Sequence, residues 1–176
     1  MALGACAHLG GINAIRNRQD LDDVRAYVYD GNAHYFDAYR VRGIDEVINV
    51  DAVIPGCPID RDEFVHVVRG LLQGRLPEPP NYAVCIECKL HENVCIFERG
   101  GICLGPITRA GCGAVCPTYG VGCDGCRGLI PYPKVASLRQ VLAERGLDEA
   151  AIDAKLSIFL TNQIERLADL EEPHVA

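Results

Sequence analysis

Residues 85–128 read CIECKLHENVCIFERGGICLGPITRAGCGAVCPTYGVGCDGCRG, and this stretch determines how the rest of the chain is interpreted. It holds eight of the ten cysteines in a chain of 176 residues. We divide them into two sets of four, the first quartet and the second quartet. The first quartet is Cys85, Cys88, Cys95 and Cys103, and the second quartet is Cys112, Cys116, Cys123 and Cys126.

Disulfides, zinc ions and iron–sulfur clusters are three ways to use so many thiols. Disulfides belong to oxidising compartments, and the opening MALGACAHLGGINAIR does not predict an export signal. We therefore expect metal binding in a reducing compartment. Zinc sites with four cysteines usually contain two close pairs, whereas Cys95 and Cys103 stand singly. The spacing favours 4Fe–4S clusters, whose sulfurs accept hydrogen bonds from amides in glycine-rich loops, but it leaves zinc open.

The composition argues against two other classes of protein. The net charge is −7 and the chain has no tryptophan, which argues against nucleic acid as the main partner. The sequence has no apolar run near the roughly 18 residues that a membrane helix needs.

The part of the chain before the quartets predicts a partial α/β domain over residues 1–76. MALGAC is expected to end a buried strand and to enter a loop at Cys6, and residues 46–53 predict a second strand. Residues 26–43 predict irregular structure. Cys57 follows the second strand, at the carboxyl end where such sheets place their ligands.

A helix is predicted directly after Cys57. Asp60 is suited to cap its first turn, with Glu63 completing a capping box. Gly74 is expected to end it. Its predicted apolar face consists of Phe64, Val67, Val68, Leu71 and Leu72.

The remaining chain predicts two more segments after a proline-rich linker at residues 76–82. Residues 83–133 show little helical pattern and are expected to bury little apolar area. Residues 134–170 predict two helices, 134–146 and 148–169, with Asp148 as the cap of the second. The residues from 171 onward predict a frayed end. Arg109 and Arg127 lie near cysteines of the second quartet, either to offset the charge of a cluster or to form salt bridges in the scaffold.

The cysteine-rich stretch resembles the cluster-binding region of the small subunit of cytoplasmic, cofactor-coupled nickel–iron hydrogenases. The resemblance rests on the C-x-x-C-K opening, CLGPITRAGCGA and GCDGCRG, and upstream on GACAHLGG and PGCPI. It implies a partial flavodoxin-like α/β domain, an irregular iron–sulfur domain that holds two clusters, and C-terminal helices.

The resemblance also implies ligands for each cluster. The first quartet matches the ligands of a distal 4Fe–4S cluster. In the second quartet, Cys112, Cys123 and Cys126 match three medial ligands, and Cys116 supplies a fourth where some relatives have proline. Cys6 and Cys57 match two of the four ligands of a proximal cluster. The other two have no counterpart in the sequence, so the resemblance implies that an N-terminal part of the family's small subunit is lacking.

The function implied by the resemblance is electron transfer within a hydrogenase, with no catalytic residue in this chain. The implied partners are a nickel–iron large subunit and a diaphorase or ferredoxin-like subunit, and the implied location is the cytoplasm. Two alternatives stay open: an interaction module stabilised by zinc, and an iron–sulfur subunit of a complex similar to NADH dehydrogenase.

Overall fold

The computed structural model describes residues 1–171, and the residues for which a frayed end was predicted lie almost entirely outside this range. Two short parallel strands, β1 (Ala2–Leu3) and β2 (Val53–Ile54), pair with Ala2 opposite Val53. The described helices are α1 (Gly4–Leu9), α2 (Leu21–Tyr29), α3 (Arg61–Leu72), α4 (Val84–Leu90), α5 (Val115–Thr118), α6 (Val135–Glu144), α7 (Glu149–Ser157) and α8 (Thr161–Glu171). Three 3₁₀ helices cover Gly11–Arg18, Asp30–Tyr35 and Ile44–Glu46. The predicted α/β class is confirmed.

The N-terminal segment differs from the prediction in three places. The strand predicted over residues 46–53 is wrong, because only Val53–Ile54 has a hydrogen-bonded strand beside it. The loop predicted at Cys6 is helix α1. Helix α2 and a 3₁₀ helix occupy much of the segment predicted to be irregular, and Asp20 caps α2 by accepting from two backbone amides.

Helix α3 follows its prediction closely. Asp60 accepts a 2.7 Å hydrogen bond from the Glu63 amide, and Val67 packs on Ile54 of β2. Leu72 is the exception, since 83 % of it is exposed. The Glu63 carboxylate does not complete a capping box, because both of its oxygens bind Arg127.

The largest apolar core joins the cysteine-rich segment to the C-terminal helices. Its buried members are Leu104, Ile107, Leu129, Leu138, Leu142, Ile152, Leu156 and Leu160. The expectation that residues 83–133 bury little apolar area is therefore wrong, since the first three of these leucine and isoleucine side chains come from that segment.

The predicted helix over residues 148–169 is two helices, α7 and α8, with a break at residues 158–160. Its predicted cap is confirmed, because Asp148 accepts from the Ala151 amide at 2.8 Å. The break directs Leu160 into the core and against Gly125 of the second quartet's loop. A continuous helix would have kept residues 158–160 in a regular turn.

The proline-rich segment has no regular secondary structure but is held against the cysteine-rich segment. Arg109 donates to the Pro80 carbonyl at 2.7 Å, and the Ala110 amide donates to the Tyr82 carbonyl at 2.9 Å. Across residues 1–171 we find no helix with the length and apolarity to cross a membrane.

Candidate metal centre

The first quartet is assembled around helix α4. Cys85 and Cys88 lie three residues apart on this helix and so share a face. The thiols of Cys85 and Cys103 converge on Gly105, where a Cβ atom would lie 3.6 and 3.2 Å from the two Sγ atoms. Burial, together with the nearby thiols of Cys103, Cys88 and Cys95, raises the pKa of Cys85 to about 11. Cys85 and Cys88 thus share a helix face, the Cys85 and Cys103 thiols meet at Gly105, and Cys95 lies near enough to affect the pKa of Cys85. Their joint role as ligands of one cluster stays a prediction.

The second quartet lines a cavity of about 410 Å³. Cys116 projects from the short helix α5, and the other three thiols come from the loops on either side of it. Val84, Pro117 and Phe159 supply apolar walls. Four thiols on the walls of a cavity of this size are suited to a ligand larger than a single ion. The medial set predicted from the sequence is therefore brought together as well.

The two quartets are direct neighbours. The amide of Cys123 donates to the Sγ atom of Cys103 at 3.2 Å, and the amide of Gly105 donates to the same sulfur at 3.3 Å. Gly122 permits this approach, because a Cβ atom there would lie 1.7 Å from the Ile102 carbonyl oxygen. Only glycine lets the two segments lie so close.

Cys6 and Cys57 follow the carboxyl ends of the two paired strands, as expected for Cys57. Their segments are joined one residue earlier, where the Ala5 amide donates to the Gly56 carbonyl at 2.8 Å. Both thiols are exposed. Cys57 also lines the cavity of the second quartet.

A backbone amide connects Cys57 to the second quartet. Burial raises the pKa of the Cys126 thiol to about 11, although a hydrogen bond from the Cys57 amide opposes this rise. Cys57 thus lies beside the second quartet, and the Cys123 amide donates to a sulfur of the first quartet.

The donor set fits an iron–sulfur cluster in its chemistry. Such clusters are held by four thiolates and are tuned by hydrogen bonds from amides to sulfur. Each quartet supplies four thiols, and two amides donate to the Cys103 sulfur. Over the described residues, no three His, Cys, Asp or Glu side chains converge closely enough to hold one metal ion.

Buried thiols in these sets are protonated at neutral pH when no metal is bound. Burial raises the pKa of Cys123 as well as those of Cys85 and Cys126. Metal ligands must be thiolates, so metal binding at either quartet releases protons.

We expect the cluster-free protein to lose stability in alkaline solution. A thiol whose pKa is raised on folding stabilises the fold below its unfolded pKa, and this contribution is lost as the pH rises through the folded value. For Cys85 and Cys126 the window runs from roughly pH 8.5 to the folded pKa of about 11. Urea unfolding under reducing conditions, followed by circular dichroism at stepped pH, measures the effect. A free energy of unfolding that stays constant or rises across this window contradicts the prediction.

Glu87 is a site residue that the sequence analysis missed. It is nearly buried on α4, between the two cysteines of that helix. Its carboxylate accepts from the amides of Gly111 at 2.7 Å and Ala114 at 3.0 Å, which flank Cys112. Glu87 therefore ties the first quartet to the second, and the only sequence signal was an acidic residue inside a C-x-x-C pair.

The two arginines near the second quartet have different surroundings. Arg109 donates to the carbonyls of Pro80 and Leu129. Arg127 forms a salt bridge with Glu63 and is 1 % exposed in its side chain. The salt-bridge interpretation therefore holds for Arg127, whereas Arg109 binds backbone carbonyls.

Fold and site together define an α/β protein with eight thiols grouped in its cysteine-rich segment, a composition suited to iron–sulfur clusters. A family model described as "NADH ubiquinone oxidoreductase, 20 Kd subunit" matches residues 1–71. Sulfhydrogenase 2 subunit delta of Pyrococcus furiosus is 36 % identical over 160 residues, which cover 90 % of this chain and 66 % of the relative. A vhu subunit of the F420-non-reducing hydrogenase of Methanocaldococcus jannaschii is 34 % identical over 195 residues, which cover 93 % of this chain and 67 % of the relative.

A third relative has a shorter match. NAD-reducing hydrogenase HoxS subunit delta of Cupriavidus necator is 32 % identical over 90 residues, which cover 43 % of each chain. The chain belongs to the family of hydrogenase subunits that these relatives form, which confirms the resemblance seen in the cysteine motifs. It spans about two thirds of the length of the two longer matches.

Proposed function

We propose that the chain is the iron–sulfur electron-transfer subunit of a cytoplasmic nickel–iron hydrogenase. The observation that carries the proposal is the serial arrangement of the three cysteine sets. Cys57 lines the same cavity as the second quartet, and the Cys123 amide donates to the Cys103 sulfur of the first quartet. Each set therefore has a neighbour in the next set, which supports an electron relay through all three.

In this proposal each quartet holds one 4Fe–4S cluster. The first quartet holds the distal cluster and the second quartet holds the medial cluster, with Cys116 as its fourth ligand. Cys6 and Cys57 contribute two thiolates to a third, proximal cluster, whose other ligands have no counterpart among the ten cysteines. Residues 1–76 form the proximal-cluster domain, residues 83–133 the two-cluster domain and residues 134–170 a helical segment that braces it.

The protein's own residues fix the ligands and exclude water. A 4Fe–4S cluster supplies one-electron redox chemistry at a potential set by charge, hydrogen bonds and solvent exposure. Burial of Cys103 and Cys123 limits solvent at the contact between the two quartets. The amides that bind the Cys103 sulfur stabilise negative charge there.

The partners in this proposal follow from the family. A large subunit would carry the nickel–iron site at which hydrogen is activated, next to Cys6 and Cys57. A flavin-bearing diaphorase or a ferredoxin-like subunit would exchange electrons next to the first quartet, where Cys95 is exposed.

A subunit of a complex similar to NADH dehydrogenase is the second candidate, and the match to residues 1–71 favours it. That match ends before the first quartet begins. The longer hydrogenase relatives cover about nine tenths of the chain. The hydrogenase assignment therefore accounts for more of the sequence.

Metal analysis of the anaerobically reconstituted full chain tests the proposal. We expect a brown protein with about eight iron atoms per chain from the two quartets, an equal amount of acid-labile sulfide, and a paramagnetic signal on reduction with dithionite. A colourless protein that binds two zinc ions and no sulfide would overturn the proposal in favour of a zinc-stabilised module.

A further inference from the structure

We infer that Arg127 is a positioning residue of the relay: it fixes the spacing of the Cys57 and second-quartet loops and raises the reduction potential of the medial cluster. The inference rests on the proposed function, since it assumes that the second quartet holds an iron–sulfur cluster. Arg127 is not a proposed cluster ligand, so its role is to position the ligands and to supply charge.

Arg127 is in contact with three segments that carry proposed ligands: its guanidinium group binds two of them, and Arg127 itself belongs to the third. Its Nε donates to the Ala110 carbonyl at 2.7 Å, two residues before Cys112. Its Nη1 donates to the Pro55 carbonyl at 2.9 Å, two residues before Cys57. Arg127 itself directly follows Cys126. One planar group with fixed donor directions therefore sets the relative positions of these three cysteines.

Glu63 completes the site from helix α3. Its carboxylate oxygens accept from Nη1 and Nη2 of Arg127 at 2.7 and 2.6 Å. The guanidinium is essentially buried and the carboxylate is 14 % exposed. Gly111 leaves the space for this group, since a Cβ atom there would lie 2.2 Å from Nη2.

A gain in folding stability does not by itself explain why a buried Arg127–Glu63 salt bridge is present at this position. Removing two charges from water is costly, and well-packed apolar residues in place of a buried ion pair are often at least as stable. A role in the site explains why both hydrogen-bonded carbonyls belong to ligand-bearing loops.

The charge has a defined effect on reduction of the medial cluster. Reduction adds one negative charge, which a buried positive group nearby favours, because charges interact strongly where water is excluded. Arg127 therefore raises the reduction potential, and Glu63 lowers it by partly neutralising Arg127. The two members of one ion pair thus have opposite effects on the potential.

Anaerobic potentiometry of the full chain, followed by electron paramagnetic resonance, tests this inference. We expect Arg127→Met to shift the medial component to lower potential and Glu63→Gln to shift it to higher potential. Arg127→Lys keeps the positive charge but loses the several directed hydrogen bonds of the guanidinium group. We therefore expect its medial potential to stay near that of the wild type and its midpoint of thermal unfolding to fall. The medial component is identified as the one altered by Cys116→Ser, and the distal component serves as the internal reference.

Arg109→Met is the matched control, since Arg109 is a half-buried arginine of the same segment that donates to the carbonyls of Pro80 and Leu129. We expect it to shift the medial potential less than Arg127→Met does, because Arg109 is less buried and binds neither Glu63 nor the carbonyls before Cys57 and Cys112. Shifts of the same sign in Arg127→Met and Glu63→Gln, or no shift in either, overturn the inference while leaving the proposed function intact. If Arg127→Met does not fold, Glu63→Gln decides alone: a rise supports the inference, and no change or a fall overturns it. Absence of iron from the wild-type protein would instead refute the proposed function.

Discussion

Replacing Cys123 with serine is expected to remove about four of the eight iron atoms that the two quartets bind, and replacing Cys103 is expected to remove the other four. Serine keeps the size and the backbone amide of each residue and removes only the soft thiolate ligand. The two losses are expected to add, so that a double variant binds no cluster at the quartets. Iron and sulfide analysis after anaerobic reconstitution measures this.

Cys6→Ser provides the comparison for these variants. Cys6 lies on α1, outside both quartets, and its thiol is exposed. We expect the iron bound by the quartets to be unchanged in this variant. Complete loss of iron from either quartet variant alone would mean that the eight thiols form one site, and full retention would mean that the quartets are assigned wrongly.

The cysteine spacing predicted two sets of four thiols, and this membership stays a prediction. Cys85 and Cys88 lie on one helical face, and the remaining six thiols follow in largely irregular chain up to Cys126. The contact between the quartets was not predictable in this way. It depends on Gly122, which allows a backbone approach that has no sequence pattern of its own.

The supporting charges were harder to predict than the thiols. Glu87 binds amides 24 and 27 residues later, and Arg127 binds a carboxylate 64 residues earlier. Neither separation matches a helical or strand period, so neither partner could be identified from spacing. The sequence showed that Arg127 lies beside a ligand, but its partner Glu63 was predicted to serve a helix cap.

The fold was predictable where local signals decide it. Asp60 and Asp148 cap their helices as predicted, since a cap involves residues only three positions apart. The strand over residues 46–53 failed because a strand needs a neighbour with which to pair. The break between α7 and α8 was missed because the apolar stripe of residues 156–167 continues across it, and the contact of Leu160 with Gly125 lies outside the helices.

That packing makes Leu160→Ala the most destabilising core substitution that we predict. Leu160 is completely buried within the core that joins the cysteine-rich segment to the C-terminal helices. Truncation of a buried leucine to alanine costs about 2–5 kcal/mol of the free energy of unfolding, through lost burial and the cavity left behind. Anaerobic urea unfolding of the cluster-loaded protein measures the change.

Leu160→Ala is also expected to loosen the second quartet. Gly125 lies between Cys123 and Cys126 with a φ angle of +85°, and a Cβ atom there would lie 3.0 Å from two side-chain carbons of Leu160. Loss of this support exposes the loop to solvent, so we expect faster loss of iron from the second quartet to a chelator. Leu72→Ala, at the exposed end of α3, is the matched control and is expected to change stability by less than about 0.5 kcal/mol. Equal unfolding free energies and equal iron-loss rates in the two variants would show that the C-terminal helices do not support the site.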